Sequence, residues 1–177
     1  MRNKLSLSFL GLIFAICGCG YTTTGSMLST RIKTIHVAPI KNKVDFTKEE
    51  GRRRLYLPLL EVKVRNEIVD RFLIDGNLKS TERDVADLVL EASLIDYQRN
   101  ALRYSDNQDV EEYRVSVILS MNLYDGETGE LKWSEPSFAG EATYFTSGPL
   151  VTTEESAAEQ AIEDLAKRVV ERTIEDW

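Results

Sequence analysis

Few side chains in this 177-residue sequence have the types and spacing that catalysis or metal binding requires. Cys17 and Cys19 are one residue apart, as in a zinc half-site or a redox pair, but no second ligand pair follows them and His36 is the only histidine. No nucleophile elbow G-x-S-x-G and no glycine-rich phosphate loop occurs. Acidic residues are numerous, so a carboxylate pair of the glycosidase type stays open by count, although those at 125–130 flank a turn. The sequence therefore favours a protein that is not an enzyme and that needs no metal or other cofactor.

The first twenty residues have the pattern of an export signal. Two basic residues precede an apolar run over residues 5–16, which is too short to cross a bilayer as a helix but is typical of a secretory signal. The sequence ICGC at 16–19 resembles the bacterial lipobox, in which a cysteine is acylated and becomes the first mature residue. Cys19 fits that position because a glycine precedes it, whereas an isoleucine precedes Cys17. We expect a signal peptide over 1–18 and a covalent lipid on Cys19; the alternative is an ordinary signal peptide with incidental cysteines.

A lipid on Cys19 would attach the protein to a membrane, because each buried methylene contributes about 0.8 kcal/mol. Gly20 follows, where lipoproteins retained in the inner membrane commonly carry aspartate, so the expected location is the periplasmic face of the outer membrane. Residues 19–30 are small and polar and form the tether of a single domain over 31–177. The tether spans at most about 35–40 Å when fully extended, which favours a protein that works close to its membrane.

The apolar pattern of residues 31–81 predicts a strand and then a helix. Alternating branched residues indicate a first strand within 31–40, and the polar stretch 41–54 contains no convincing element. Apolar residues at spacings of three and four predict a helix over 58–75, with Pro58 in its first turn and Gly76 as its C-cap.

The rest of the chain predicts three long strands and a final helix. We predict strands at 86–97, 113–123 and 131–145, the last of them broken near Pro136. A polar loop at 99–109 joins the first two strands, and a glycine-containing hairpin at 125–130 joins the last two. Thr152 and Glu155 form a capping box for the helix, and a short strand at 77–81 is left open. The expected fold is α+β with the order βαβββα, one mostly antiparallel or mixed four-stranded sheet with two helices packed on one face.

The charge pattern excludes one class of partner and indicates a candidate surface. A net charge of −7 argues against a general nucleic-acid binder. Residues 31–54 nevertheless carry eight basic and three acidic side chains, a net of +5, whereas 153–177 carry three basic and eight acidic ones, a net of −5. The run Arg52, Arg53 and Arg54 suits bidentate contacts to phosphate, the alternative being a solvated loop.

A second candidate surface lies in and beside the predicted loop between the strands at 86–97 and 113–123. It contains Arg99, Arg103, Tyr97 and Tyr104, and arginines beside aromatic rings suit an amphipathic ligand or a partner protein. Aromatic residues that only cover the sheet are the alternative.

Over the whole mature chain the sequence resembles the LptE-type lipoproteins of the outer-membrane lipopolysaccharide-assembly complex. The resemblance rests on the order and spacing of several segments: CGY at 19–21, IKTIHV at 32–37 before Pro39, ADLVL at 86–90, Tyr97, Tyr104, EYR at 112–114, LYD at 123–125, TGELKW at 128–133, Gly140, Tyr144 and the helix over 154–177. It implies a protein that plugs a large outer-membrane β-barrel translocon, contacts lipopolysaccharide and needs no catalytic residue. The segment 41–54 is longer than the loop expected by this resemblance.

Two functions outside catalysis therefore stand side by side. The first is a lipid-anchored plug and assembly factor of the lipopolysaccharide-exporting barrel, with Arg99, Arg103, Tyr104 and the arginines at 52–54 as ligand residues chosen on their chemistry. The alternative is an outer-membrane lipoprotein that regulates a periplasmic cell-wall enzyme. A long tether would favour the alternative, and this tether is short. A periplasmic hydrolase is a third reading and would need a specific catalytic carboxylate.

Overall fold

The computed structural model of the chain describes residues 31–44 and 58–175. The predicted signal peptide, Cys19, the tether 19–30 and the arginines at 52–54 lie outside these residues and stay predictions.

The sheet has six strands, where the sequence predicted four. In chain order the strands and helices are β1 Thr34–Val37, β2 Lys41–Asn42, α1 Leu60–Asp75, β3 Lys79–Ser80, a 3₁₀ turn Arg83–Val85, β4 Leu88–Tyr104, β5 Val110–Asp125, β6 Leu131–Phe145 and α2 Glu154–Glu175. The two additional strands are two residues long and are defined by backbone pairing, which hydrophobic alternation does not reveal. One of them, β2, falls in the stretch 41–54 that was predicted to contain no element, and the other, β3, lies in the segment left open at 77–81.

The sheet is mixed, with the order β3-β1-β4-β5-β6 and β2 beside β4. The three short strands run parallel to their neighbours, whereas β4, β5 and β6 form a long antiparallel ribbon. β1 and β2 follow one another along the same edge of β4, with Ala38 N donating to Leu90 O at 2.9 Å and Lys43 N to Leu94 O at 2.8 Å. Pro39 lies between them, and because it has no N–H the pairing is interrupted there.

Both helices share one core with one face of the sheet, as predicted. Alternate residues of β4 and β5 are buried, and so is the apolar stripe of each helix: Leu88, Leu90, Ala92, Leu94, Val115, Val117, Leu119, Met121, Leu123, Leu60, Val64, Ile68, Phe72, Ala158, Ala161, Ile162, Leu165, Ala166, Val169, Val170 and Ile174. α2 lies against β6, β5 and α1. The opposite face of the sheet is polar and has no helix among the described residues.

The predicted loop at 99–109 is wrong over its first half. β4 continues to Tyr104, and only 105–109 form the turn to β5. Arg99 pairs with Val115 and Arg103 with Glu112, so both arginines lie on a strand. The sequence did not indicate this because the strand loses its apolar alternation once it extends beyond the core.

Each helix begins one or two residues away from its predicted start. α1 begins at Leu60, because Leu59 adopts the left-handed conformation with φ 57° and places Pro58 outside the helix. Its predicted C-cap is confirmed, with Gly76 at φ 79° donating its N–H to Phe72 O. α2 begins at Glu154, and Thr153 Oγ1 accepts the N–H of Ser156 at 3.1 Å, so the capping residue follows Thr152 by one.

Two glycines allow close packing of backbone against backbone. A β-carbon on Gly126 would overlap the carbonyl of Ala86, so this glycine allows a close approach of two backbone segments, whereas Gly129 adopts a positive φ of 70°. A β-carbon on Gly140 would overlap Ala161 and Leu165, which brings α2 onto the backbone of β6. The bounds of β6 are as predicted, although Pro136 causes a register shift and not a break.

Candidate functional site at the end of the ribbon

Arg99, Arg103 and Tyr104, which were singled out from the sequence, lie at one end of the long ribbon. We call the residues 99–113 and 144–154 the distal tip, since they form the end of β4, the start of β5, the end of β6 and the start of α2. The opposite end, called the tether end, comprises 31–34, 73–79 and 125–130. There Arg31 forms an ion pair with Glu127 and Thr34 pairs with Lys79. β4 alone has 17 residues, so the two ends are about 50 Å apart.

Arg99 is held by a carboxylate from α2. Its Nη1 lies 2.6 Å from Glu154 Oε2, and the two side chains are 31% and 14% exposed. The guanidinium carbon also lies 4.9 Å from the centre of the Tyr113 ring. Burial opposes the charge of Arg99, but the hydrogen bond and the charge of Glu154 outweigh burial and raise the pKa of the guanidinium. Arg99 therefore fastens the start of α2 to β4.

Aromatic residues complete this arrangement. The hydroxyl of buried Tyr97 donates to Glu154 Oε1 at 3.0 Å, and the rings of Tyr113 and Tyr144 stack with their centroids 5.5 Å apart. Burial first, and then the charge of Glu154, raises the pKa of both Tyr97 and Tyr144, so both phenols stay neutral at physiological pH. Both rings reach the core, which agrees with the reading that these aromatic residues cover the sheet.

Arg103 and Tyr104 face solvent. The Arg103 side chain is 59% exposed, lies 3.4 Å from a Glu112 oxygen and covers the Phe145 ring at 5.7 Å. Tyr104 is exposed and lies outside the core cluster. The aliphatic residues Leu102, Leu150 and Val151 are also exposed at this tip. An exposed guanidinium beside exposed apolar groups is the combination that an amphipathic anion requires.

The structure thus divides the two arginines that the sequence treated alike. Arg103 forms a longer ion pair with Glu112, at 3.4 Å, and its side chain stays accessible to a ligand, as does Tyr104, whereas Arg99 is held at 2.6 Å by Glu154 and is less exposed. Sequence reasoning did not select Glu154, Leu150 or Val151, because only the fold brings the 144–154 segment beside β4. The charge of Glu154 in the first turn of a helix was the one available signal.

A second, polar concavity lies on the sheet face opposite the helices. It consists of two adjoining grooves of about 510 Å³ each that share Arg83 and Glu91, whose side chains form an ion pair at 2.8 Å. The residues of the groove floor include Ser93, Ser120 and Asn122. The strand alternation predicted a polar face here but not the 3₁₀ turn that forms its wall.

The described residues also bear on metal binding and on membrane crossing. In residues 31–44 and 58–175 no group of three or more His, Cys, Asp or Glu side chains is arranged to hold a metal ion. The helices in that part of the chain are either too short or too polar to cross a bilayer.

These features define a two-layer α+β domain with a long ribbon and a tip at which Arg103 and several apolar side chains are exposed. The family model for LptE, described as lipopolysaccharide-assembly, matches residues 32–174, and the chain belongs to this family. Its general role is therefore in lipopolysaccharide assembly. No curated protein matches the sequence.

Solved structures with the same fold are distant in sequence. The hypothetical protein CT253 from Chlamydia trachomatis is 13% identical, with a TM-score of 0.55 over 80% of this chain and 95% of that one. Protein XCC0632 from Xanthomonas campestris is 13% identical, with a TM-score of 0.55 over 80% and 84%. The PelC dodecamer from Paraburkholderia phytofirmans is 14% identical, with a TM-score of 0.50 over 86% and 96%. At these identities the likeness concerns the fold alone.

Proposed function

We propose that the protein is a non-enzymatic lipoprotein of the outer membrane, anchored through Cys19, that assembles with and plugs a β-barrel translocon. In that position it assists the export of lipopolysaccharide to the cell surface. The observation that carries this proposal is the match of the lipopolysaccharide-assembly family over residues 32–174.

The shape of the domain supports a plug. The chain leaves toward Cys19 from the tether end, and the distal tip lies about 50 Å away at the other end of β4. The hydrocarbon core of a bilayer is about 30 Å thick. A domain held at the periplasmic leaflet by its tether end is therefore long enough to carry its tip through the lumen of a barrel in that membrane.

The distal tip supports contact with lipopolysaccharide. The guanidinium of Arg103 suits a phosphate group, and the apolar side chains of Leu102, Tyr104 and Leu150 suit acyl chains. Arg99 contributes by holding β4 and α2 together beneath these groups. The arginines at 52–54 remain a second proposed site for phosphate.

Photo-crosslinking from opposite faces of the domain tests the plug. A photoreactive residue is placed at Asn122, on the sheet face without helices, and in a second variant at Glu159, on the exposed side of α2. A plug is surrounded by its barrel, so both positions should crosslink to the same outer-membrane barrel protein. Crosslinks from one face only would indicate docking on the outside of a partner and would contradict the plug. Crosslinks to a periplasmic cell-wall enzyme would support the alternative function instead.

A further inference from the structure

The last turn of α1 exposes two neighbouring aliphatic side chains. Leu73 and Ile74 are each 74% exposed, the highest values among the large apolar residues that the structure describes. Leu73 continues the apolar spacing of α1 but is not part of its buried stripe. The buried stripe ends at Phe72, and no described element packs over the two residues that follow.

Backbone contacts place this pair at the tether end. Gly76 closes α1 two residues after Ile74, Leu78 is buried, and Lys79 N donates to Lys33 O at 2.9 Å. Leu73 and Ile74 therefore lie next to the segment through which the chain continues toward Cys19. The exposed pair Leu150 and Val151 lies at the distal tip, at the other end of the ribbon.

The length of the tether keeps this end near the membrane. Residues 20–30 are the eleven residues between Cys19 and Arg31. Eleven residues can span at most about 40 Å. Once Cys19 is acylated, the tether end is the nearest part of the domain to the lipid surface.

We propose that Leu73 and Ile74 insert into the interfacial region of the leaflet that holds the lipid anchor, so that the domain stands on the membrane by its tether end. The partner is a phospholipid surface. The tether end carries charges of both signs, among them Lys33 and Lys79 as well as Asp75 and Glu127, so we assign the contact to burial of apolar groups and not to attraction to anionic lipid. This inference rests on the predicted lipid at Cys19 and concerns the lipidated protein before it enters a barrel, since a barrel wall would separate the pair from lipid once the domain lies in the lumen.

An environment-sensitive fluorophore on single cysteines tests the contact. The lipidated full chain, with Ile74→Cys in one variant and Leu73→Cys in another, is reconstituted without a barrel into vesicles of zwitterionic phosphatidylcholine, some of which carry a nitroxide near the headgroup. Val151→Cys is the matched control, since it is also an exposed aliphatic residue but lies at the distal tip. Unchanged thermal unfolding midpoints establish that each variant is folded, and mass spectrometry establishes the acyl group on Cys19.

The expected result is a blue shift of the emission and quenching by nitroxide lipid at positions 73 and 74, with neither change at 151. Water-like emission at 73 and 74 would overturn the proposal, and so would equal quenching at all three positions, since the domain would then have no preferred end. A chain without acyl modification would remove the constraint that orients the domain and would also overturn it. Failure to crosslink a barrel in the experiment on the proposed function would leave these results unaffected.

Discussion

The carboxylate of Glu154 joins the first residue of α2 to β4, with one oxygen 2.6 Å from Arg99 and the other 3.0 Å from the hydroxyl of Tyr97. Glu154 is only 14% exposed, and its two hydrogen bonds connect buried Tyr97 with Arg99 at the base of the distal tip. This acidic side chain in the first turn, where the helix dipole also favours a negative charge, therefore fastens the start of α2 to β4, while the apolar stripe packs the rest of the helix on the sheet.

Glu154→Ala should destabilise the protein by about 2–3 kcal/mol, because hydrogen bonds to a charged group are lost and the partly buried Arg99 is left without this carboxylate. Urea unfolding followed by circular dichroism measures the change. The matched control is Glu159→Ala on the exposed side of the same helix, which should leave the midpoint nearly unchanged. Equal effects of the two substitutions would show that the link between α2 and β4 contributes nothing.

Gly140→Ala should be destabilising by about 1–3 kcal/mol or more, because the added methyl group overlaps the carbonyl of Ala161 and the backbone of Leu165. The thermal unfolding midpoint checks this expectation. Ser134→Ala adds no atom to the exposed face of the same strand and serves as the control. A variant at 140 as stable as the parent would mean that α2 does not approach β6 as closely as described.

Acid should weaken the tether end specifically. The pKa of Asp125 is lowered to about 2, mainly because its carboxylate accepts a hydrogen bond from the backbone N–H of Thr128, and burial opposes this only in part. The N–H of Lys33, foremost, likewise lowers the pKa of Asp87, which also accepts the N–H and hydroxyl of Thr34. The unfolded pKa of these groups is 3.8, so their contribution is complete above that pH and is lost as the pH falls from 3.8 through the lower folded values.

Urea unfolding at neutral pH and at about pH 3 tests this dependence on Asp87. Asp87→Asn should lower stability at neutral pH and reduce the further loss on acidification relative to the parent protein. Asp106→Asn, which changes an exposed carboxylate in the turn from β4 to β5, should leave the pH dependence as it is. An unaltered acid response in the Asp87 variant would contradict the role assigned to its hydrogen bonds.

Arg103→Glu should weaken binding of lipopolysaccharide by about tenfold or more, the equivalent of one charge-assisted contact, with only a small fall in unfolding midpoint, because its ion pair with Glu112 is long and Arg103 is mostly exposed. Lys167→Glu makes the same change of charge on α2, at a side chain 54% exposed and distant from the tip. Isothermal titration of the two variants separates a local contact from the effect of net charge. Arg99→Glu should also reduce binding, but together with stability, because it places a second carboxylate against Glu154. Unchanged binding by Arg103→Glu would remove Arg103 from the ligand site.

The core of this fold could be predicted from the sequence because each core element follows a single hydrophobic period, about two residues in the strands and 3.6 in the helices. The strand pattern at 86–94 and the stripe from Ala158 to Ile174 are buried as expected, and Gly76 closes α1 where predicted. The pattern failed where burial ceases to alternate: β4 beyond residue 98, and β2 and β3, which are held by backbone pairing alone.

The candidate site was predicted in part for a related reason. Arg103 and Tyr104 could be chosen from their chemistry, and they are exposed as a ligand site requires. The partner of Arg99 could not, since Glu154 is more than fifty residues away in the chain and only the packing of α2 brings the two together.

Purification of the lipidated protein under mild detergent tests the central proposal most directly. Outer membranes are solubilised, the chain is recovered through a C-terminal affinity tag, and the bound proteins are identified by mass spectrometry, with a Cys19→Ala variant recovered in parallel. The plug predicts stoichiometric recovery of one large outer-membrane β-barrel with the lipidated chain. Recovery of the chain without any barrel, or with a periplasmic cell-wall enzyme in its place, would contradict the proposal.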